Sequence, residues 1–257
     1  MLEEVQGDIL QPSSFKDRLA GCNAVIHLVG IIYERGNETF QAIHHVGTRN
    51  VLDAALADGV RRFVQMSALG ARPSDASPYH VSKFAAEEEV RKSGLEFVIL
   101  RPSLIFGEGS AFIRQMVDAM KAAPFIRPVP GDGTYRFRPV YIDDVVECFV
   151  QALSNQSATG RTVELVGSEE LSLNEIAAEI AACVGVSKRT LHVPIGLMKM
   201  AAAIFSALPI KPPITAVQIR MLEEGSTADP GPMTSIFGFQ PTRFKDGLRG
   251  YLCPKQL

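Results

Sequence analysis

The sequence predicts an α/β fold: a doubly wound parallel sheet with a smaller helix-rich C-terminal lobe. Three observations carry this. Helical stretches closed by glycines alternate with short apolar runs rich in β-branched residues over positions 14–100. Those runs do not alternate apolar with polar, as expected of strands covered on both faces by crossover helices. Hydrophobic residues make up 46% of the 257 residues and charged ones 21%, which is enough apolar material for a sizeable core and excludes a disordered chain.

In chain order, a helix over 14–20 stops at Gly21 and leads into an apolar run at 24–29. Ser14-x-x-Asp17 is its expected capping box. A helix over 38–57 stops at Gly59 before the run 62–66, and a helix over 78–92 stops at Gly94 before the run 97–100. Each glycine supplies the left-handed residue after a last helical turn. Beyond Arg101 the pattern loosens. A glycine-rich loop at 106–109 precedes a helix at 111–122, and a proline-rich crossing fills 124–139. A helix starts near Asp143, a strand runs over 162–166, and helices follow near 172–184, 195–207 and 214–223, with a tail at 244–252.

A net charge of -2 without a Lys/Arg run excludes a nucleic-acid partner. Cys22, Cys148, Cys183 and Cys253 are widely spaced and read as free thiols in a reducing compartment. The acidic start Met1-Leu2-Glu3-Glu4 is unlike a secretory leader. The apolar stretch 195–208 is shorter than the ~20 residues of a membrane span and carries Lys199. It reads as a buried or amphipathic helix, with contact at a membrane surface as the second reading.

The chemistry concentrates at Tyr79-His-Val-Ser-Lys83. Four-residue spacing puts Tyr79 and Lys83 on one helix face, and Ser67 stands at the carboxyl end of a strand, where open α/β sheets bind ligands. The expected roles are Tyr79 as acid/base, its pKa lowered by Lys83, and Ser67 as donor to the substrate oxygen. Lys83 keeps donors for a ribose. The alternative is a solvated helix face.

Around that trio the chain resembles the atypical and extended short-chain dehydrogenase/reductases. It is most similar to the subfamily of the nucleotide-binding accessory subunit of respiratory complex I and its bacterial relatives. The stretches that carry the resemblance are GDIL (7–10), HLVGII (27–32), GTRNV (47–51), MSALGA (66–71), SPYH through Lys83, RPS (101–103), FG (106–107), PVYIDDV (139–145) and the tail 241–252. They span nearly the whole chain. The resemblance implies a Rossmann-like sheet and residue roles. Asp8 and Ile9 would meet the adenine, Leu28, Val29 and Gly30 would line the dinucleotide, and Met66 counts with the cofactor residues. Ser67, Tyr79 and Lys83 match the catalytic trio, and Pro102 and Ser103 the backbone beside the nicotinamide. One departure stands out: the family's opening GxxGxxG turn, which takes the pyrophosphate, is absent. The resemblance implies a chain that begins beyond the first βαβ unit, binds NAD or NADP weakly, and does not reveal which. Residues 4–7 would then pair directly with the strand at 25–29 or lie loose.

Other features have plainer readings. His44 and His45 point to different helix faces and do not chelate a metal together. Asp143 and Asp144 read as helix capping, Arg136 and Arg138 as solvated, Met198, Met200 and Met221 as core filling, and Glu87-Glu88-Glu89 as an exposed face. The resulting expectation is an incomplete dinucleotide-binding domain over 1–167, with 104–140 contributing to the substrate side, and a substrate-side lobe over 168–257. The function is that of an NAD(P)H-dependent oxidoreductase acting at a carbonyl or alcohol carbon of an apolar or quinone-related substrate, held between the 102–109 loop and the 195–208 helix. The alternative is a non-catalytic accessory protein of a respiratory or quinone-related assembly. The expected location is the cytoplasm, or the periphery of the inner membrane.

Overall fold

The computed structural model describes residues 3–123, 125–206 and 214–253. The chain divides into two compact units, one of Met1–Arg101 with Cys148–Glu164, the other of Pro102–Glu147 with Leu165–Leu257. The elements begin with β1 (Ala24–His27), a π-helical turn (Gln41–Val46) running into α1 (Gly47–Ala57), β2 (Arg62–Met66), α2 (Pro78–Lys92) and β3 (Glu96–Pro102). Next come β4 (Ile105–Phe106), α3 (Ala111–Ala122), β5 (Ile126–Pro130), β6 (Arg136–Phe137), β7 (Val140–Tyr141), α4 (Ile142–Ala152) and β8 (Arg161–Leu165). The chain closes with β9 (Leu171–Ser172), α5 (Leu173–Cys183), β10 (Arg189–Val193), α6 (Ile195–Ser206), α7 (Ala216–Glu224), α8 (Gly231–Phe237) and α9 (Phe244–Tyr251).

The principal sheet has the order β1-β2-β3-β8, with β1, β2 and β3 parallel in the registers Ala24↔Arg62 and Arg62↔Glu96. The α/β architecture is the one the sequence predicts. Gly59 and Gly94 take φ of 73° and 78° after their helices, a conformation that costs a residue with a Cβ and stops each helix in place. Val25, Leu52, Ala55, Val60, Phe63, Val90 and Ile99 form the core of the first unit. Full burial of side chains such as Phe63 and Ile99 is worth about 1.5–3 kcal/mol each.

Two expectations at the amino-terminal end fail. Residues 14–20 form no helix; only Pro12–Ser14 makes a short 3-10 turn. Ser14 spends its hydroxyl on Asp8, accepting from its N–H at 2.8 Å and donating to its carbonyl at 3.2 Å, so it caps nothing. Asp17 sits at φ 59°, outside helical space. Of the two alternatives for residues 4–7, the structure takes the unpaired one: no strand forms there and Val5 is 42% exposed. β1 is therefore the edge of its sheet.

In the second unit, Phe106, Ile113, Met120, Leu173, Ile176 and Leu248 lie in one core. The proline-rich crossing is ordered as β5, which pairs parallel to β10, a strand the sequence did not reveal. α5 starts with a capping box between Ser172 and Glu175. Asp143 and Asp144 lie in the first turn of α4, where the helix dipole favours carboxylates, and Asp144 also accepts from Thr242 N–H at 2.7 Å and Thr242 Oγ1 at 2.9 Å and so ties down the tail. The free-thiol reading fails for two cysteines, because α5 and α9 pack in one core and Cys183 and Cys253 at their ends are joined in a disulfide. Cys22, exposed, and Cys148, buried, take part in no disulfide. Met200 on α6 is 57% exposed and fills no core gap. Leu208, which closed the predicted apolar stretch, lies outside the described residues. Among the described residues no helix is long and apolar enough to cross a membrane.

Candidate active site

The helix that carries the site is well specified. Ser77 at its N-cap accepts from His80 N–H, and Pro78 opens the first turn, where a missing N–H costs nothing. Tyr79, Lys83 and Glu87 then recur at four-residue spacing along one face. That face meets the carboxyl end of β2. Lys83 Nζ donates to the Met66 carbonyl at 2.6 Å, and Ser67 Oγ donates to Glu87 Oε1 at 2.5 Å. Gly30, in the turn after β1, sits so close that a methyl group there would lie 3.4 Å from His44 Nε2 and 3.6 Å from Lys83 Nζ. In the first unit the structure thus brings together Gly30, Met66, Ser67, Tyr79 and Lys83.

The Tyr79 ring is enclosed by aromatic neighbours: Phe40 at 5.9 Å, His44 at 5.3 Å and His80 at 5.3 Å between centroids. Burial pushes its hydroxyl up to about 12. The expected lowering by Lys83 does not occur, because desolvation of the phenolate outweighs a neighbouring ammonium that is itself committed to the Met66 carbonyl. Burial pushes Lys83 down to about 8, with Glu87 pulling the other way.

His44, on the π-helical turn, is a residue the motif search passed over. Its Nε2 accepts from Ile31 N–H at 3.0 Å and its Nδ1 lies 2.8 Å from Ser82 Oγ. A backbone N–H can only donate, so Nε2 is the acceptor and the proton sits on Nδ1. Burial first, and Lys83 second, hold His44 neutral, at about 3. This neutral ring pins the turn that follows β1. His27 is held down to about 4 by the same two causes, and its Nε2 is buried without a partner.

Glu87 corrects the sequence reading most sharply. It is fully buried, where an exposed helix face was expected. Arg101 grips it through Nε at 2.8 Å and Nη2 at 2.7 Å, and Arg91 Nη2 lies at 2.7 Å. Ser67 therefore spends its proton on a buried carboxylate, away from the role of donor to a substrate oxygen. A signal was present in the sequence: the 79/83/87 spacing makes one continuous polar stripe.

The remaining candidates make contacts of their own. Asp8 turns its carboxylate onto Leu10 N–H and Gln11 Nε2, and Ile9 packs against Gly47 and accepts Asn50 Nδ2 on its carbonyl. Leu28 and Val29 are 56% and 44% exposed, open to a ligand. Pro102 ends β3 at the boundary of the second unit, where the Ser103 N–H donates to Leu165 O and its hydroxyl to Arg138 O. Arg136 pairs with Glu170 and Glu175, while Arg138 is only partly exposed, with its Nε 3.8 Å from Glu170 Oε2, so the solvated reading holds for neither in full. A shallow cavity in the second unit is lined by residues 105–112 and Ile142. No residue of α6 lines this cavity. Among the described residues no cluster of His, Cys, Asp or Glu could hold a metal ion.

A nicotinamide dinucleotide fits this site in part. Lys83 has two donors beyond the Met66 bond, beside a tyrosine and a close-approach glycine, as a ribose requires. For the pyrophosphate there is no match: among the described residues of the first unit, no glycine-rich turn opens a helix whose N–H groups could cradle it.

Several known proteins are similar to this chain. The "NADH dehydrogenase (ubiquinone) 1 alpha subcomplex subunit 9, mitochondrial" of Arabidopsis thaliana is 34% identical over 192 residues, covering 74% of this chain and 48% of the relative. The ceramide reductase of Caulobacter vibrioides is 32% identical over 196 residues, covering 75% and 60%. The chain thus spans about half of the first relative's length. The triphenylmethane reductase of Citrobacter sp., solved with NADP(H), shares the fold at a TM-score of 0.75 and 19% identity, covering 98% of this chain and 84% of that one. Residues 2–165 match the NAD dependent epimerase/dehydratase family, and the chain belongs to it.

Proposed function

We propose that the chain binds a nicotinamide dinucleotide chiefly through its nicotinamide-ribose end and serves reduction of a carbonyl group. One observation carries this: Tyr79 and Lys83 share a helix face whose lysine is anchored at the carboxyl end of β2, beside Gly30. Lys83 would hold the ribose with its two remaining donors. A bound nicotinamide would supply the hydride. At neutral pH a tyrosine at about 12 keeps its proton. Deprotonating it at pH 7 would cost about 7 kcal/mol, so Tyr79 is ready as an acid, which favours reduction over oxidation. NAD and NADP fit equally, since the residue that would discriminate between them is not among those assembled here.

A second reading is favoured by Ser67. Its hydroxyl donates to Glu87 rather than into the site, and one relative is by name a subunit of an NADH dehydrogenase. On that reading the chain is a nucleotide-binding accessory protein of a respiratory assembly, and Tyr79 is unused.

The test has a binding arm and a turnover arm. Without a pyrophosphate cradle, this 257-residue chain should bind reduced nicotinamide mononucleotide and NADH with affinities within about tenfold, that is within 1.4 kcal/mol. Titration of both, and of NADPH, reads this; NADH binding a hundredfold tighter than the mononucleotide would sink the half-site reading. Tyr79→Phe should leave these affinities in place and lower reduction of any carbonyl substrate the parent accepts by about 10²–10⁴. Unchanged turnover would transfer support to the accessory reading.

A further inference from the structure

The deepest charged group beside the site is Glu87, and nothing in the proposed reaction uses it. Its carboxylate is fully buried, a placement that isolated carboxylates do not tolerate. Ser67 Oγ, Arg101 and Arg91 saturate it. Arg91 also reaches Glu88 Oε1 at 2.6 Å, and Arg101 Nη1 stands 4.0 Å from Glu164 Oε1.

Around Lys83, Arg91 and Arg101 stand three carboxylates, Glu87, Glu88 and Glu164, and the exposed Lys92 also reaches Glu88 at 3.9 Å. Lys83 makes no bond to any of the three; its ammonium rests on the Met66 carbonyl. Glu87 stands one helical turn on along the same stripe, and its charge is felt at Lys83. The other titratable groups around Lys83 are His27 on β1, His44 on the π-helical turn and Tyr79 on its own helix. The two histidines are neutral and Tyr79 carries no charge, so none of them offsets the ammonium. If Glu87 lost its charge, Lys83, Arg91 and Arg101 would keep only the partly exposed Glu88 and Glu164 as counter-charges, and an excess of positive charge would remain. Guanidinium groups cannot release it as a proton; Lys83 can.

We infer that Glu87 is a positioning residue that acts through Lys83: held from behind by Arg91 and Arg101, its carboxylate supplies the counter-charge that keeps the Lys83 ammonium protonated at the carboxyl end of β2. The significance of this for function rests on the proposed role of Lys83 at the ribose; the electrostatic coupling itself does not. A neutral Lys83 amine would still reach the Met66 carbonyl but would lose charge-assisted strength toward ribose oxygens. Glu87 also fixes the register of α2 against β2, since Ser67 and Met66 are adjacent and bind Glu87 and Lys83 one turn apart.

The experiment reads Lys83 directly. Lysines of the whole 257-residue chain are reductively methylated with ¹³C-formaldehyde, the Lys83 signal is assigned by its loss in Lys83→Arg, and its titration is followed by NMR. In Glu87→Gln, Lys83 should titrate at least about one pH unit lower than in the parent. Glu88→Gln, which removes an equal charge at a partly exposed position, should move it far less. Should Glu87→Gln fail to fold, Glu87→Met removes the same charge without leaving a buried amide to satisfy, and a lowered Lys83 titration is again expected. An unchanged or raised titration in the variant that folds overturns the inference. NADH titrations from pH 6 to 9 form a separate arm. A shifted Lys83 with an unshifted pH profile of binding supports the coupling and counts against Lys83 as a ribose ligand.

Discussion

The carboxyl ends of β1 and β2 are neighbours in one sheet, yet they are built on opposite principles. At β2 every strand residue through Gln65 is buried, the last carbonyl is held by Lys83, and the next hydroxyl is held by Glu87. At β1 the burial pattern is broken: Ile26 is 37% exposed, Leu28 and Val29 follow at 56% and 44%, and no strand pairs with its outer edge among the described residues. One end is preorganised for chemistry, as positioned catalytic groups require, and the other is left open. The difference teaches that membership of one sheet does not give equal stability. Support comes from what covers each strand and from whether its polar ends are satisfied.

The largest expected effect separates the two ends by core packing. Phe63 of β2 is fully buried against Val25, Leu52 and Ile99, and Phe63→Ala should cost about 3–5 kcal/mol. Leu28→Ala, just beyond β1 and three residues past the core Val25, should stay within about 0.5 kcal/mol. Urea titration of both variants reads the contrast, and comparable losses would erase the distinction drawn here.

Much of this contrast was legible beforehand, and the failures are instructive. The glycine-punctuated alternation placed β2, α2 and α3 to the residue, because each has an apolar period and a clear stop. The helix at 14–20 misled through Phe15 and Leu19, which have helical spacing, while Ser14 was drawn to Asp8 across six residues. Tyr79 and Lys83 were legible as a pair, but the sign of the shift at Tyr79 was not, since a sequence shows the neighbouring charge and hides the enclosing rings of Phe40 and His44. Glu87 was unreadable for a related reason. Its partner Arg101 comes from β3, fourteen residues on, and a run of three glutamates looks solvated until that strand is folded against it. The Cys183–Cys253 bond spans 70 residues and depends on two helices meeting.

An acid titration sharpens the comparison from the β1 side, where His27, the last residue of the strand, is buried and His44 pins the turn that follows it. His27 and His44 titrate in the folded chain at about 4 and about 3, against 6.5 for the free side chain. Below 6.5 the unfolded chain therefore binds protons that the folded chain refuses. Stability is whole above pH 6.5 and is lost as pH falls toward 4 and 3, at about 1.4 kcal/mol per pH unit for each histidine. Between pH 7 and pH 5 that amounts to about 2 kcal/mol apiece. Comparing the urea midpoint at the two pH values in the parent and in His27→Gln/His44→Gln isolates this share. An equally steep loss in the double variant would show that other groups cause it.

The smallest effect on stability is expected at the edge, and it tests whether the open end is merely open or also adhesive. A strand edge with unpaired N–H and C=O groups, flanked by exposed Ile26, Leu28 and Val29, is a template for pairing with another chain. A lysine at such an edge stays solvated in the monomer and is costly to bury between two sheets. Ile26→Lys should therefore change the urea midpoint by less than about 0.5 kcal/mol of stability, because Ile26 is already more than one-third exposed. It should also reduce self-association, read by sedimentation velocity across a concentration series. If the edge is adhesive, the parent sediments faster as concentration rises and Ile26→Lys does not. If both sediment alike at every concentration, the open end needs no protection, and what separates β1 from β2 is packing alone.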